Sequence, residues 1–303
     1  MTATADCVDT RYAVSDGLDI VVAYEGAVTR TAAERLAAEL GIAACVPAAD
    51  VPAEQLTLRV DAGGLTLARD GMELRGDFSR MIPRLRQGAL QRELLVKAAR
   101  VKGVDAPTAV DATAGLGEDS LLLAAAGFEV TLCECDPVIA ALLQDALRRS
   151  ADDPQLASAV ARMHVVCGDS KEVLRSFATG GDGTGSCGLA ADGALRGLVA
   201  GDSADLHEPL VGDGTPPDVV YLDPMFPGRT KSAAVKKKFQ LIHHLERPCD
   251  PSEEELLVEA ALAAHPRKVV IKRPIKGAYL AGIKPSHSLS GKAVRYDCLV
   301  PSR

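Results

Sequence analysis

From about residue 105 onward, short apolar runs alternate with longer segments in which apolar residues recur every three or four positions. The first pattern is typical of buried strands and the second of amphipathic helices. The predicted strands are 108–112, 128–134, 163–167, 218–223, 268–272 and one near 293–300. The predicted helices are 118–126, 137–149, 170–178, 232–246 and 252–264. This alternation predicts an α/β fold with a doubly wound, mostly parallel sheet.

The first part of the chain, residues 1–76, has a different pattern and is predicted to form a separate small α+β domain. A strand is expected at 19–24 and a helix at 31–40, with Thr31 as the N-cap. Three short strands separated by turns predict a β-meander, at 56–60, 65–68 and 72–75.

The rest of the chain divides into a bridge and a larger domain. Residues 77–104 are predicted to form a basic bridging region with one helix at about 87–102, and residues 105–303 form the α/β domain. A stretch rich in Gly, Ala, Asp and Ser interrupts that domain at 179–217. Because a structureless loop of this length is unusual inside a compact domain, we interpret it as an acidic, largely disordered surface insertion.

The most informative motif lies at the end of the strand predicted at 218–223, where Asp223 is followed by Pro224, Met225 and Phe226. Open α/β sheets bind ligands at the carboxyl ends of their strands. The Asp223 carboxylate and the carbonyls of Pro224 and Met225 can accept hydrogen bonds from an exocyclic amine. Phe226 can stack on a planar base. These four residues are the candidate catalytic residues, and the alternative is a rigid turn with a buried Phe.

A second motif predicts a nucleoside site. The strand predicted at 108–112 contains Asp111 and leads into Gly115 and Gly117 at the start of a helix. Glycines allow a sharp turn and a close approach of backbone N–H groups to a ligand. Glu134 ends the next predicted strand, roughly 17 to 20 residues later. An acid at that spacing can bind ribose hydroxyls.

The residues after the glycines indicate which nucleoside is bound. A dinucleotide site needs a third small residue in G-x-G-x-x-G, but Gly117 is followed by Glu118, Asp119 and Ser120. Two acids would repel a pyrophosphate, and they are compatible with a ligand that carries an ammonium and a sulfonium. The pattern is similar to the D-x-x-x-G-x-G loop of class I S-adenosylmethionine-dependent methyltransferases. The alternative is that the two acids only complement the helix dipole.

The charge distribution favours a nucleic-acid partner although the net charge is −7. Residues 178–218 carry seven acids and one arginine. Residues 75–102 have a net charge of +6, residues 228–247 have +5, and 266–276 hold five bases and no acid. These three basic clusters flank the proposed site, where phosphate contacts are needed. For each cluster, a solvated helix face is the alternative.

Composition argues against several other classes of protein. No apolar run approaches the ~20 residues that span a bilayer, and the first 12 residues lack the order of a signal peptide. The eight cysteines are scattered, without paired C-x-x-C motifs at zinc spacing. The adjacent His243 and His244 on a predicted helix would diverge, which favours surface residues over a metal site. We therefore expect a cytoplasmic protein without a membrane segment or a metal.

The motifs together resemble the ribosomal RNA small subunit methyltransferase J family. They are V-D-A-T-A-G-L-G at 110–117, E-C-D-P-V-I-A-A-L-L at 134–143, Y-L-D-P-M-F-P at 221–227, K-S-A at 231–233, V-K-K at 235–237 and V-V-I-K-R-P at 269–274. The resemblance covers roughly residues 75–300 apart from the insertion. It implies a class I methyltransferase fold and S-adenosylmethionine as cofactor. It also implies methyl transfer to the N2 of a guanine in small-subunit (16S) ribosomal RNA, with that RNA or the small subunit as partner.

The resemblance also implies roles for individual residues. The cofactor contacts fall by position on Glu118, Asp119, Glu134, Cys135, Asp169, Ser170 and Asp223, in addition to the loop residues Asp111, Gly115 and Gly117. Family members often carry Arg in place of Glu118 and Cys135, and Ser in place of Asp169. Candidate RNA contacts are Arg80, Arg84, Arg86, Lys231, Lys236, Lys237, Lys272 and Arg273.

Three other functions stay open at this point. The enzyme could methylate adenine N6 or a guanine of another RNA or DNA, since the motif around Asp223 does not separate these substrates. An NAD-dependent oxidoreductase is disfavoured by the missing third glycine. A ribosome-assembly factor that binds RNA without turnover is disfavoured by the intact Asp223 and glycine loop.

Overall fold

The computed structural model describes residues 19–178, 215–224, 241–242, 245 and 250–301. The amino-terminal part forms a five-stranded sheet in the order β2-β1-β3-β4-β5. Its strands are β1 (Ile20–Tyr24), β2 (Cys45–Pro47), β3 (Leu56–Asp61), β4 (Gly64–Arg69) and β5 (Met72–Leu74). Strands β3 to β5 are antiparallel neighbours, so the predicted meander is confirmed, while β1 pairs in parallel with β2 and β3.

Helix α1 (Ala27–Glu39) packs against this sheet and begins four residues before the predicted start. Its N-cap is Gly26, which has a φ of 80°, and Thr31 lies inside the helix. The Thr29 hydroxyl donates to the Glu25 carbonyl at 3.0 Å. The prediction of a Thr31 cap was wrong because Gly26 turns the chain into the helix without a side-chain cap.

The bridging region forms three short helices instead of the one helix predicted. They are α2 (Ile82–Leu85), α3 (Gln87–Leu90) and α4 (Leu94–Ala99). Arg86 and Glu93 have extended ψ angles of 135° and 129° that interrupt the helical path. These turns let Met81, Leu90 and Leu95 reach one hydrophobic cluster. Tertiary packing has overridden a helical pattern here.

The larger sheet has seven strands in the order β11-β12-β10-β9-β6-β7-β8. The strands are β6 (Thr108–Asp111), β7 (Glu129–Glu134), β8 (Met163–Cys167), β9 (Val219–Leu222), β10 (Lys268–Pro274), β11 (His287–Ser290) and β12 (Val294–Leu299). The helices are α5 (Glu118–Ala125), α6 (Pro137–Ser150), α7 (Ala157–Val160), α8 (Ser170–Ala178) and α9 (Pro251–Ala263). Strands β6 to β10 are mutually parallel, which confirms the predicted α/β class.

The described part of this sheet has two features that the sequence analysis did not specify. Strand β12 runs antiparallel to β10, and β11 pairs with β12 at the sheet edge. Strand β11 was not predicted, because its H-S-L-S sequence has one apolar residue. Most of the helix predicted at 232–246, and residues 179–214 of the predicted insertion, lie outside the described residues.

The two sheets are joined through α6. Its Val138, Ile139 and Leu142 belong to one hydrophobic cluster with the core face of the amino-terminal sheet. The Asp145 carboxylate accepts from the Leu65 N–H at 3.0 Å and from Arg149 at 2.7 Å. Helix α6 therefore packs against both sheets and fixes the carboxyl end of β7, where it begins.

Candidate functional site

Four polar side chains lie where neighbouring parallel strands end. Asp111 ends β6, Glu134 ends β7, Asp223 follows β9, and Lys272 lies near the end of β10. The registers pair Asp111 with Tyr221 and Ile271 with Leu222. Because the carboxyl ends of parallel strands form one edge of a sheet, these groups share the edge where such folds bind ligands.

Asp111 organises the turn after β6. Its carboxylate accepts from the Thr113 N–H at 3.1 Å and from the Ser120 hydroxyl in α5. The Thr113 hydroxyl in turn accepts from the Asp223 N–H at 2.7 Å. Burial raises the pKa of Asp111 to about 7, although the Ser120 and Thr113 hydrogen bonds oppose that rise. Thr113 thus connects the glycine turn directly to the backbone of the catalytic candidate.

The glycine loop places its two glycines in different surroundings. Both have left-handed backbones, with φ of 53° at Gly115 and 76° at Gly117. A Cβ on Gly117 would lie 2.7 Å from the Leu143 side chain, whereas a Cβ on Gly115 would meet no described atom within 4 Å. Gly117 is therefore required for packing against α6, and Gly115 faces an open side of the loop.

Glu134 holds the same loop from the neighbouring strand. One carboxylate oxygen accepts from the Gly115 N–H at 2.9 Å, and the other accepts from the Asp136 N–H at 2.8 Å. Burial raises the pKa of Glu134 to about 7, against the lowering effect of these two hydrogen bonds. A carboxylate oxygen can accept a second hydrogen bond, so Glu134 keeps capacity for a ligand donor.

A cation lies between two of the predicted acids. The Lys272 ammonium is 2.7 Å from Asp119 Oδ2 and 2.8 Å from Asp223 Oδ2. The Tyr221 hydroxyl also donates to Asp119 Oδ2, at 2.6 Å. Burial alone would lower the pKa of Lys272, but the two carboxylates outweigh it and raise that pKa above its ordinary value. Burial and the nearby acids raise the pKa of Tyr221, so this hydroxyl stays protonated.

The remaining predicted cofactor residues lie around this edge. Glu118 is exposed in the first turn of α5, and Cys135 is exposed just after β7. Asp169 precedes Ser170 at the start of α8, and its carboxylate accepts from the Lys171 N–H at 2.9 Å. Pro224 is buried, and Met225 and Phe226 lie outside the described residues.

Two of the predicted RNA contacts need correction. Lys272 is bound to two carboxylates in the site rather than exposed for a phosphate. Arg273 is only 4% exposed, donates to the Ala278 carbonyl at 2.9 Å and lies 3.8 Å from Glu254. Along a strand, side chains alternate between the two faces, so these neighbours point to opposite sides, and both sides of β10 are covered.

The other predicted RNA contacts lie in the bridge or outside the described residues. Arg80 and Arg86 are exposed. Arg84 makes two hydrogen bonds of 2.8 Å to Glu93, which links α2 to the start of α4. Lys231, Lys236 and Lys237 lie outside the described residues.

Sequence reasoning missed Thr113, Ser120 and Tyr221 as parts of the site. Each carries a hydroxyl within the glycine motif or the strand before Asp223, and each bonds to an acid of the site or to the Asp223 backbone. A polar residue inside an otherwise apolar strand, as Tyr221 is in V-V-Y-L, was the available signal.

The described residues give no sign of a metal site or of a membrane span. They contain no group of three or more His, Cys, Asp or Glu that could hold a metal ion. No helix in that part of the chain has the length and apolar character to cross a membrane.

Comparison with known proteins identifies the family. The family described as "Putative SAM-dependent methyltransferase" matches residues 48–182 and 196–301. A ribosomal RNA small subunit methyltransferase J from Thioalkalivibrio sulfidiphilus is 39% identical, over 93% of this chain and 97% of its own length. The protein of that name from Pseudomonas aeruginosa is 36% identical, over 89% and 96%. A crystal structure of a SAM-dependent methyltransferase from Neisseria gonorrhoeae matches with a TM-score of 0.64 and 26% identity, over 92% of this chain and 95% of that one. The chain therefore belongs to the ribosomal RNA small subunit methyltransferase J family, which has the class I fold of S-adenosylmethionine-dependent methyltransferases.

Proposed function

We propose that this protein transfers a methyl group from S-adenosylmethionine to the exocyclic N2 amine of a guanine in small-subunit (16S) ribosomal RNA, in the cytoplasm. The names of its relatives support ribosomal RNA as the substrate. The observation that carries the proposal is the position of the Asp223 carboxylate. It lies at the carboxyl edge of the sheet and is 2.8 Å from the Lys272 ammonium. The Asp223 backbone N–H donates to the Thr113 hydroxyl, which connects this residue to the glycine loop.

The residues at this edge fit S-adenosylmethionine. Glu134 is a buried acid with acceptor capacity for ribose hydroxyls, and it fixes the N–H of Gly115 on the open side of the loop. Asp119 and Asp223 face one ammonium, that of Lys272, so this cluster keeps a net negative charge toward a cationic ligand. We infer that Glu134 and the 115–117 loop hold the nucleoside, and that Asp119 lies toward the charged end.

This reaction requires hydrogen-bond acceptors and a fixed orientation of the substrate, and it requires no nucleophile from the protein. A guanine N2 amine is a weak nucleophile because its lone pair is delocalised into the ring. Bound S-adenosylmethionine supplies a methyl group activated by the positive sulfur. Asp223 accepts a hydrogen bond from the amine and stabilises the positive charge that develops on nitrogen. The Pro224 and Met225 carbonyls are further acceptors and Phe226 is a stacking surface, as the sequence motif predicts.

The fixed geometry of Asp223 matters more than its strength as a base. Its N–H is bonded to Thr113, and one carboxylate oxygen is bonded to Lys272. The amine proton becomes acidic only once the methyl group begins to transfer, so a weak base suffices to accept it. The Asp223 side chain is 32% exposed, which gives that proton a route to solvent.

Labelled methyl transfer tests the proposal. The purified protein is incubated with methyl-labelled S-adenosylmethionine and small subunits from cells lacking this gene, and the label is mapped by nuclease digestion and mass spectrometry. N2-methylguanosine at one small-subunit site is the expected product. N6-methyladenosine, or label in another RNA, would contradict it.

The Asp223→Ala variant tests the named residue. We expect turnover to fall by at least about 10²-fold, as when a preorganised hydrogen-bonding group is removed. The fold should persist because the Thr113 bond uses the backbone N–H of residue 223 and the Lys272–Asp119 pair remains. Asp223→Asn, which keeps one acceptor oxygen, is the matched control and should retain more activity. Unfolding of Asp223→Ala would instead indicate a structural role for this residue.

A further inference from the structure

An unusually apolar surface segment follows β10. We call residues 275–284 the rim loop. Within the described chain, six large apolar side chains are exposed, and three of them belong to this loop: Ile275 at 38%, Tyr279 at 41% and Ile283 at 37%. Single exposed apolar residues are normal, but a group of them on one loop indicates a contact surface.

The same loop is positively charged and lies in a long acid-free segment. Residues 260–296 contain eight Lys and Arg and no Asp or Glu, in a chain with a net charge of −7. Lys276 and Lys284 are exposed on the rim loop. Neither ammonium forms an ion pair with a carboxylate among the described residues. A surface that combines cations with exposed apolar and aromatic groups suits nucleic acid.

The conformation of the loop is fixed by a buried arginine of the neighbouring strand. The Arg295 guanidinium in β12 donates to the carbonyls of Pro274, Ile275 and Gly277 at 2.8, 2.7 and 2.9 Å. Its other side is bonded to the Asp297 carboxylate at 3.0 Å, and both residues are buried. Arg295 also lies 5.1 Å from the Tyr279 ring centroid. These contacts hold the loop and its aromatic ring before any partner arrives.

Two further features fix the loop against the domain. Leu280 is buried and anchors the loop in the cluster that contains Val258 and Leu257 of α9. Ala281 has a left-handed backbone with φ of 48°, a conformation that non-glycine residues adopt when their surroundings impose it. A rigid loop loses little conformational entropy on binding, so its exposed groups contribute efficiently to affinity.

The loop begins beside the site. Ile275 is three residues after Lys272, which bonds to Asp223, so the chain between them spans at most about 11 Å. Residues on the first part of the loop therefore lie within the reach of nucleotides that flank a base bound at Asp223.

We propose that the first part of the rim loop is the surface that binds the RNA strand flanking the target guanine, with Tyr279 as a stacking platform for an unpaired base and Lys276 as a phosphate contact. The inference rests on the proposed function, since it takes small-subunit RNA as the substrate. The RNA is a single-stranded or loop segment, because only unstacked bases expose their faces to an aromatic ring. A ribosomal protein is the competing partner, and the experiments below separate the two.

Charge reversal on the loop gives the first test. Lys276→Glu is compared with Lys102→Glu, an exposed lysine in the loop before β6 and hence at the opposite edge of the sheet. Binding of protein-free small-subunit RNA is measured by fluorescence anisotropy over a range of salt concentrations. We expect the Lys276 variant to weaken binding and to reduce the salt slope by about 0.7, the value for one phosphate of a single strand. The Lys102 variant should leave the slope unchanged.

The aromatic ring gives the second test. Tyr279→Ala should raise the Kd for RNA by about fivefold or more, as loss of one base–aromatic stack does. Tyr279→Phe keeps the ring and should bind as the wild type does. Cofactor affinity, measured by calorimetry, and melting temperature should stay the same in the Lys276 variant.

The outcomes distinguish this inference from the proposed function. If the wild type methylates small subunits and the loop variants bind and turn over RNA as the wild type does, the rim-loop proposal is overturned and the function stands. If the variants weaken binding to assembled subunits but not to protein-free RNA, the partner is a ribosomal protein and the proposal is wrong. If the wild type binds S-adenosylmethionine and methylates no small-subunit RNA, the proposed function itself fails.

Discussion

Replacing Lys272 with Met is the change that isolates the cation of the candidate site. Lys272 bonds to Asp119 Oδ2 at 2.7 Å and to Asp223 Oδ2 at 2.8 Å. Met has a similar length and no charge, so the variant leaves two neighbouring carboxylates without the ammonium between them. Asp119 keeps the Tyr221 hydroxyl, and Asp223 keeps its backbone bond to Thr113.

The stability cost follows from the exposure of the three side chains. Each pair at this distance would contribute at most about 6 kcal/mol at an effective dielectric constant of about 20. The side chains are 24%, 20% and 32% exposed, so water screens part of this energy. Breaking a fully buried pair costs about 3–5 kcal/mol, and an exposed pair contributes about 0–1 kcal/mol. We therefore expect Lys272→Met to lower the free energy of unfolding by about 2 kcal/mol, measured by urea denaturation.

The pH dependence of that difference has a defined sign. The acids raise the pKa of Lys272 above its ordinary value of 10.5. A cation whose folded-state pKa is raised stabilises the fold fully below its unfolded pKa and loses this contribution as pH rises through the folded value. The stability difference between wild type and Lys272→Met should be constant from pH 7 to pH 9 and should narrow only above about pH 10.

The effect on activity separates a positioning role from a purely structural one. Without the ammonium, the Asp223 carboxylate loses its orientation, and we expect kcat to fall by about 10²-fold, the cost of a misplacement of about 1 Å. Affinity for S-adenosylmethionine should be unchanged or tighter, because a positive charge near a cationic ligand is removed. Lys272→Arg can still bridge both carboxylates and should recover part of kcat. Full kcat in a folded Lys272→Met variant would refute the reasoning.

Two further predictions concern the turn after β6. Burial raises the pKa of Asp111 to about 7 from 3.8, so the wild type loses stability as pH rises between these values. Asp111→Asn should lose less stability as the pH rises and be the more stable form at pH 8, by on the order of 4 kcal/mol at most. The free energy of unfolding of both proteins is measured by urea denaturation at pH 5 and pH 8, and an equal change between the two pH values in both would contradict this. Gly117→Ala forces a Cβ to 2.7 Å from Leu143 and should cost about 2–4 kcal/mol of stability. Gly115→Ala should lower stability by only about 1 kcal/mol and should mainly weaken cofactor binding. Thermal melts measure the stability of both glycine variants and calorimetry measures their cofactor affinity. A larger loss of stability in Gly115→Ala than in Gly117→Ala would contradict the roles given to the two glycines.

The sequence predicts the elements whose signals are local. The elements predicted between β6 and α8 lie within about one residue of their predicted bounds, because each strand is a short apolar run and each helix begins at a recognisable residue. The short helix α7 in the same region was not predicted. Asp136 and Pro137 illustrate this: the Asp136 carboxylate accepts from the N–H groups of residues 138 and 139, and Pro137 occupies the first turn. Asp111, Glu134 and Asp223 were placed at strand ends by the same reasoning.

The remaining features depend on contacts between distant residues. Lys272 meets Asp119 across 153 positions of the sequence, and no local pattern distinguishes it from a lysine exposed to solvent. Likewise, the bridge breaks at Arg86 and Glu93 because its apolar residues pack on a core built from later strands. Strand β11 forms by pairing with β12, which compensates for its polar sequence. A single sequence shows which functional groups these residues carry, but it does not show which distant residues they contact.

Contacts between distant residues also change how the basic clusters should be interpreted. Four of the five bases at 266–276 are used within the protein. Arg267 pairs with Asp218 at 2.7 Å, Lys268 donates to two backbone carbonyls, Lys272 bonds to two acids of the site, and Arg273 is buried. Their acidic partners come from other strands and helices, so a count along the chain overstates the charge that can face RNA. The fifth base, Lys276, is exposed on the rim loop. One phosphate contact at about 0.7 corresponds to a salt slope of about −0.7 from this surface. A weak electrostatic contribution of this size suits an enzyme that must release its product, and it leaves selection of the target base to the acceptors at Asp223.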